Sequence, residues 1–199
     1  MTSFFKKLSQ KYPDKSNFKK KLMYVAAVSL IIAVSVHMIS TRFIIAFAQH
    51  DCLPYKLYII DKKVKPTRRG EYVCISGKGI PRYGAGKKLV KVIVGVPGDT
   101  VVVIEEREEL YKDVKISGNL YRRKITAIVK IIDQHDGERS YEAYDRGRDG
   151  TPIPFLNEYG VKQIVNGYYV AGTHPASYDS RYFGVIDASS VIGKAHPVF

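Results

Sequence analysis

Cysteine is scarce in this sequence, which contains two such residues, Cys52 and Cys74. They are too far apart to form a C-x-x-C motif, and the five histidines include no pair at ligand spacing. Zinc sites in proteins need three or four protein ligands, so a zinc site built from these residues is not expected. We expect neither a metal nor another cofactor.

The chain also lacks a dense basic run beyond its N-terminal tenth. The net charge is +13, but residues 1–21 contain seven lysines and one acidic residue, and so carry six of these charges. The other seven are spread over the remaining 178 residues, without a helix-turn-helix or RNA-binding signature. We therefore expect no nucleic-acid partner.

Several familiar motifs are missing as well. No repeat of 20–50 residues and no low-complexity tract is visible, which favours an ordinary folded domain. The glycine-rich stretch "SGKGIPRYGAG" fails as a P-loop, because Pro81 and Lys88 stand where that motif needs glycine and serine or threonine. Without a nucleophile-elbow motif, a Ser-His-Asp hydrolase built on His50 or His174 has no support.

One long apolar run is present, "LMYVAAVSLIIAVSVHMIS" at residues 22–40, and it carries no formal charge. Nineteen helical residues at about 1.5 Å each cross a hydrocarbon core of about 30 Å. The lysines before the run, with only Arg42 just after it, predict a cytoplasmic N-terminus and an exported remainder. The predicted parts are a basic tail at 1–21, an anchor with a juxtamembrane segment at 22–48, and an exported domain at 49–199.

A cleaved signal peptide is the alternative to a retained anchor. Ala46 and Ala48 have the A-x-A spacing of a cleavage site. However, the apolar run is longer than the 7–15 residues usual in a signal peptide, and the basic leader is long. We therefore favour a retained transmembrane helix.

Beyond the anchor, the residue pattern predicts a mainly β domain. Strands are predicted at residues 55–61, 71–76, 88–95, 100–106, 111–116, 124–132 and 167–172, with a last strand at the C-terminus. The residue pattern of 105–165 differs from that of the rest of the domain, and we predict that this part is an insertion. Within it, residues 133–152 are predicted to form a long loop.

The predicted strand "KLVKVIVG" places a charge among aliphatic residues. Because side chains alternate along a strand, Lys91 shares a face with Leu89 and Ile93. One explanation is that the lysine stem lies along an apolar surface while its ammonium reaches water. The other is a lysine held in an apolar pocket, where burial disfavours the ammonium and gives a neutral amine that can act as a base.

Three segments, in this order, resemble the signal peptidase I superfamily, whose members use a serine/lysine dyad. They are "HDCLPYKLY" at 50–58, "KVIVGVPGDT" at 91–100 and "SYDSRYFGVIDASSVIGKA" at 177–195. The resemblance covers most of the chain from residue 49 onward, except 105–165, where the family varies in length. It implies an antiparallel β-sheet peptidase domain in the periplasm, behind one helix in the bacterial inner membrane.

The resemblance also implies roles for individual residues. Lys91 matches the general base, and Cys52 stands at the position of the nucleophile. Ser177 matches the serine that hydrogen-bonds the lysine, and Asp179 and Arg181 match an ion pair beside the site.

Two residues near the nucleophile position depart from the family pattern. His50 stands where a side-chain oxyanion-hole donor is often found, and Cys52 replaces the usual serine. A thiol loses its proton more readily than a hydroxyl, so an acyl-enzyme on Cys52 is reasonable chemistry. Cys52 can equally be a natural variant, an engineered replacement, or half of a Cys52–Cys74 disulfide, which an exported compartment permits.

Within the superfamily, "CLPYKLY" resembles the TraF-type conjugative-transfer branch, although Lys56 stands where that branch usually has glycine. This branch implies a membrane-tethered pilin precursor, cut beside small residues, with head-to-tail cyclisation as a further option. Such a precursor and inner-membrane lipid are then the expected partners. The alternatives are a general signal peptidase, or an inactive membrane-anchored assembly factor for pili or secretion that binds its partners through residues 105–165.

Overall fold

The computed structural model describes residues 15–48, 52–84, 86–116, 118–133, 135, 137–147 and 149–198. The chain divides into two compact units, one ending at Arg42 and the other starting at Phe43. Most of the predicted basic tail, residues 1–14, lies outside the described residues.

The first unit contains a single long helix, α1, at Lys15–Arg42. Its stretch Asn17–Arg42 is long and apolar enough to cross a membrane, and none of its most apolar part is buried inside the protein. A helix that is apolar on all sides and exposed is unfavourable in water but suits a bilayer. This helix contains the predicted anchor at 22–40 and indicates membrane anchoring.

The second unit is built almost entirely from antiparallel strands, as the sequence predicted. The strands are β1 Phe43–Phe47, β2 Leu57–Asp61, β3 Tyr72–Ser76, β4 Lys88–Gly95, β5 Thr100–Glu105, β6 Tyr111–Ile116, β7 Asn119–Asp133, β8 Gly137–Tyr144, β9 Gly160–Gln163, β10 Tyr169–Ala171 and β11 Val191–Pro197. A short helix, α2 at Ser180–Phe183, and a 3₁₀ turn at Ala188–Ser190 lie between the last two strands.

The strands form two sheets. The first has the order β1-β2-β11-β3-β4-β10, so that the C-terminal strand lies between β2 and β3. The second has the order β6-β7-β5-β9, and β8 pairs with β7. The predicted insertion therefore supplies most of the second sheet.

The main core takes residues from both sheets. Val73, Ile93 and Tyr169 of the first sheet belong to the same buried cluster as Val101 and Val129 of the second. A smaller buried cluster containing Tyr58, Ile60 and Cys74 has no residue from the second sheet. Because β4 takes part in both clusters, its sequence is a continuous aliphatic run rather than an alternating one.

The prediction of a loop at 133–152 was wrong, because Gly137–Tyr144 forms β8 and pairs with β7. The sequence "GERSYEAY" lacks the aliphatic residues that indicate a strand, and its first four residues are exposed. The edge of the long strand β7 provides the hydrogen bonds that hold it in place. The β-unit begins at Phe43, and its residues 43–47 pair with β2.

Candidate active site

Lys91 lies in the middle of β4, with 3 % of its surface exposed. It is opposite Val73 of β3, and its neighbour Val92 is opposite Ala171 of β10. Hydrogen-bonded strands on both sides close off the backbone around this residue. This burial excludes the explanation in which the lysine ammonium reaches bulk water.

The Lys91 amine has a buried polar partner. Its Nζ donates to Oγ of Ser177 at 2.7 Å, although 86 residues separate the two along the chain. Ser177 is fully buried, and its own backbone N–H donates to the carbonyl of His174. The serine hydroxyl thus fixes the direction in which the amine points.

Asp179 and Arg181 form a buried ion pair next to Ser177. Two guanidinium nitrogens of Arg181, Nη2 and Nε, lie 2.7 and 2.8 Å from the two carboxylate oxygens of Asp179. Gly172 donates its backbone N–H to the same carboxylate at 2.8 Å. Asp179 also caps the short helix α2.

Burial and charge act in opposite directions on Asp179. Burial alone raises the pKa of this carboxyl, but the charge and hydrogen bonds of Arg181 lower it more. The charge of Lys91 and the N–H of Gly172 lower it further, so the pKa lies below its ordinary value. Asp179 is therefore ionised at neutral pH, and it lies close enough to Lys91 for the charge of Lys91 to affect its pKa.

Arg181 also holds the loop that carries Ser177. Beyond Asp179, its guanidinium donates to four backbone carbonyl groups, those of Glu142, His174, Pro175 and Ser177. Three of these carbonyls belong to the segment 174–177. The position of the Ser177 hydroxyl consequently depends on this buried arginine.

Cys52 is placed beside this group through its backbone. Its carbonyl oxygen accepts hydrogen bonds from the N–H of Thr173 at 2.8 Å and from the hydroxyl of Thr173 at 3.2 Å. A Cβ atom at Gly172 would lie 2.3 Å from Oγ of Ser177 and 2.9 Å from the carbonyl oxygen of Cys52. A side chain at Gly172 would therefore collide with both residues, which lie close to each other around this glycine.

Cys52 lines a cavity of about 290 Å³. Much of the cavity wall is formed by Tyr83, Ala176, Tyr178 and Ile153, and the rest by Gly147 and three charged residues. A larger cavity of about 430 Å³ lies against Lys112, Glu142 and His174, but includes neither Cys52 nor Lys91. The chemistry of Cys52, Lys91 and Ser177, rather than cavity size, therefore defines the candidate site.

Both cysteines are free thiols, so the structure contains no Cys52–Cys74 disulfide. Cys74 is fully buried in β3, opposite Val90. Burial raises the pKa of the Cys74 thiol to about 11, although the charge of Lys88 opposes this increase. Cys52 is partly exposed.

We expect N-ethylmaleimide to modify Cys52 and spare Cys74 in the native protein. With a pKa of about 11, only about one thousandth of the Cys74 thiol is ionised at pH 8, and the thiolate is the reactive form. Mass spectrometry of the labelled chain should find one modified thiol under native conditions and two in urea. Equal modification of both cysteines without denaturant would contradict this arrangement.

Not every residue of the candidate site was identified from the sequence. His50, the predicted oxyanion-hole neighbour, lies outside the described residues. Tyr178 and Gly172 were missed. Tyr178 could have been found from the sequence, because it lies between the predicted site residues Ser177 and Asp179. Nothing in the sequence indicates that Gly172 lies between Ser177 and the backbone of Cys52. The catalytic roles of Cys52, Lys91 and Ser177 stay predictions.

Comparison with known proteins identifies the family. No curated protein matches the chain. A family model described as signal peptidase, peptidase S26, matches residues 18–199, which include most of α1 and the whole β-unit. The chain therefore belongs to the signal peptidase family, peptidase S26, and its general role is that of a membrane peptidase.

Proposed function

We propose that this protein is a membrane-anchored endopeptidase that uses Cys52 as its nucleophile and Lys91 as its general base. The observation that carries the proposal is the buried Lys91 amine, hydrogen-bonded at 2.7 Å to Ser177. The backbone of Cys52 lies beside the same serine, across Gly172. A buried amine, an orienting hydroxyl and a partly exposed thiol are the parts that nucleophilic catalysis requires.

In the first half of the reaction, the Lys91 amine takes the proton of the Cys52 thiol. The thiolate attacks the scissile carbonyl carbon, and the resulting oxyanion is stabilised by the backbone N–H of Cys52. The Lys91 ammonium then gives its proton to the leaving amine as the C–N bond breaks, which leaves a thioester on Cys52.

In the second half, Lys91 accepts a proton from water, and the hydroxide attacks the thioester. Collapse of this intermediate breaks the C–S bond, and the proton on Lys91 returns to Cys52. Ser177 directs the amine in both halves, and the Asp179 carboxylate stabilises the ammonium that forms between them.

We propose a precursor tethered to the bacterial inner membrane as the substrate, with the N-terminus of the enzyme in the cytoplasm and the β-unit in the periplasm. The lysines before the apolar run at residues 22–40 support this orientation. The "CLPYKLY" segment supports the TraF-type branch and hence a conjugative pilin cut beside small residues. Attack on the thioester by the amine terminus of the same pilin, instead of water, would close a ring.

The test is to co-express the full chain with a candidate pilin precursor and measure the mass of the product. We expect Cys52→Ala to abolish processing and Cys52→Ser to retain part of it, since a hydroxyl can replace the thiol in the same position. Iodoacetamide should inhibit the wild-type protein but not Cys52→Ser. Cys74→Ala serves as the matched control and should process the precursor like the wild type, because Cys74 lines no part of the cavity.

Each other outcome has a definite meaning. Processing that persists in Cys52→Ala would assign the nucleophile to another residue. Capture of the pilin without any cleavage by the wild-type chain would favour the inactive assembly factor, and cleavage of many unrelated precursors would favour a general signal peptidase. A product lighter than the linear mature pilin by one water would indicate cyclisation.

A further inference from the structure

The cavity beside Cys52 has a charged wall as well as an aromatic one. Arg82 and Lys87 of the glycine-rich loop and Asp149 of the loop after β8 line it together with Tyr83 and Tyr178. A cavity that accepts only a methyl-sized side chain does not need such charges. The wall therefore indicates that a polar part of the substrate binds here.

The backbone of Arg82 has an unfavourable conformation. Its φ of 71° lies in the left-handed region, which residues other than glycine rarely adopt. Its guanidinium donates to Oδ2 of Asp149 at 3.1 Å and to the hydroxyl of Thr151 at 2.5 Å. It also lies 5.7 Å from the ring centroid of Tyr178. Asp149 compensates the charge of Arg82, so these two residues together leave the wall neutral.

Lys87 adds a positive charge that is not compensated in this way. It is exposed, and no ion pair joins it to another residue in the part of the chain that the structure describes. The wall thus carries one net positive charge next to the Cys52 thiol.

Tyr178 provides a second and independent signal. The residue is 6 % exposed, and its hydroxyl is buried without a hydrogen-bond partner among the described residues. Burial raises the pKa of Tyr178 more than the charge of Arg82 lowers it, so the hydroxyl stays protonated at neutral pH. A buried O–H without an acceptor is unfavourable, and an acceptor supplied by a ligand removes this penalty.

We propose that this cavity recognises a carboxylate of the precursor, an aspartate or glutamate side chain close to the scissile bond. Lys87 would supply the positive charge, and Tyr178, which lines the same cavity, would turn its buried hydroxyl towards the carboxylate and donate a hydrogen bond to it. Asp149 holds Arg82 in place through the ion pair and compensates its charge, so that the site does not bind anions non-specifically. The inference rests on the proposed peptidase function, for which it names a substrate feature.

The experiment uses the full-length protein in detergent and fluorogenic peptides that span the cleavage site of the precursor. Glutamate, glutamine, alanine and lysine are placed in turn at each of the three positions on either side of the scissile bond. At one position, kcat/KM should be about fivefold higher for glutamate than for glutamine, the factor expected of a single solvent-accessible ion pair at its strongest. Lys87→Gln should remove this preference, and Lys87→Glu should transfer it to a lysine-containing peptide.

Lys88→Gln is the matched control, because Lys88 is the adjacent exposed lysine and does not line the cavity. It should keep the preference for glutamate. Tyr178→Phe retains the ring and removes only the hydroxyl, so it should lower kcat/KM for the glutamate peptide more than for the alanine peptide.

Equal cleavage of glutamate and glutamine peptides at every position would overturn the carboxylate site while leaving the peptidase proposal intact. A preference that survives Lys87→Gln would also overturn it. If no peptide is cleaved, the peptidase proposal fails for these substrates. Binding of the same peptides to the Cys52→Ala variant, measured by fluorescence anisotropy, then tests the carboxylate site separately. The carboxylate site is supported if the glutamate peptide binds more tightly than the glutamine peptide and if the additional substitution Lys87→Gln removes this difference. Equal binding of the two peptides overturns it.

Discussion

Lys91→Met is expected to lower kcat/KM for precursor cleavage by about 10²–10⁴-fold, the usual contribution of a general base. Methionine has nearly the length of lysine and suits the buried position in β4, so the sheet should remain intact. The variant lacks only the amine that would take the proton of Cys52. Cleavage of a purified precursor, followed by gel and mass, measures the effect.

Two further variants make this prediction specific. Lys91→Arg keeps a positive charge, but a guanidinium is not deprotonated in proteins, so it should be as inactive as Lys91→Met. Lys88→Met changes an exposed lysine of the same strand and should leave cleavage unchanged. Wild-type cleavage by Lys91→Met with an unchanged melting temperature would refute the role of Lys91 as the base.

Arg181→Met is expected to destabilise the fold by about 3–5 kcal/mol, because it leaves Asp179 as a buried charge without its partner. The same change removes the hydrogen bonds to the backbone carbonyls of the segment 174–177. For a unit of this size, such a loss lowers the melting temperature by about 10 °C. Thermal unfolding of the full chain in detergent, followed by circular dichroism, tests it.

Arg107→Met provides the matched control, since the Arg107 side chain is 87 % exposed. Its effect should stay within about 0.5 kcal/mol. A melting temperature of Arg181→Met equal to that of Arg107→Met would show that the buried ion pair does not stabilise this unit.

The pH dependence of the Arg181 effect has a defined sign. Because the pKa of Asp179 is lowered in the folded protein, its contribution is complete above the unfolded value of about 3.9. This contribution is lost as the pH falls through the lower folded pKa. The difference in unfolding free energy between wild type and Arg181→Met should therefore narrow below about pH 4. A difference that stays constant on acidification would assign the effect to packing alone.

The sequence predicted those strands whose composition reflects burial. In "KLVKVIVG" the continuous aliphatic run and the following Pro-Gly-Asp turn set both ends of β4, and the observed bounds agree. It could not predict β8, because the residues of that strand are mostly polar and the partner β7 determines its conformation. Likewise, β1 was assigned to the juxtamembrane segment, since only its pairing with β2 makes it part of the sheet.

The candidate site was accessible from the sequence only through a resemblance. Nothing in the residue pattern brings Lys91 and Ser177 together, because their contact depends on the folded arrangement of distant segments. The cavity wall was out of reach for the same reason. Arg82 comes from the loop between β3 and β4, and Asp149 from the segment between β8 and β9, so their side chains meet only in three dimensions.

The pairing of β1 with β2 has a practical consequence for work on the enzyme without its anchor. A shortened protein that starts at residue 49 loses the five-residue edge strand Phe43–Phe47 and uncovers the hydrogen-bonding groups of Leu57–Asp61. An uncovered apolar sheet edge promotes self-association, so such a preparation should precipitate or form oligomers. A shortened protein that starts at Phe43 keeps β1 as the edge strand of the sheet. Because Ile45 and Phe47 are exposed, we expect this protein to require a mild detergent as well.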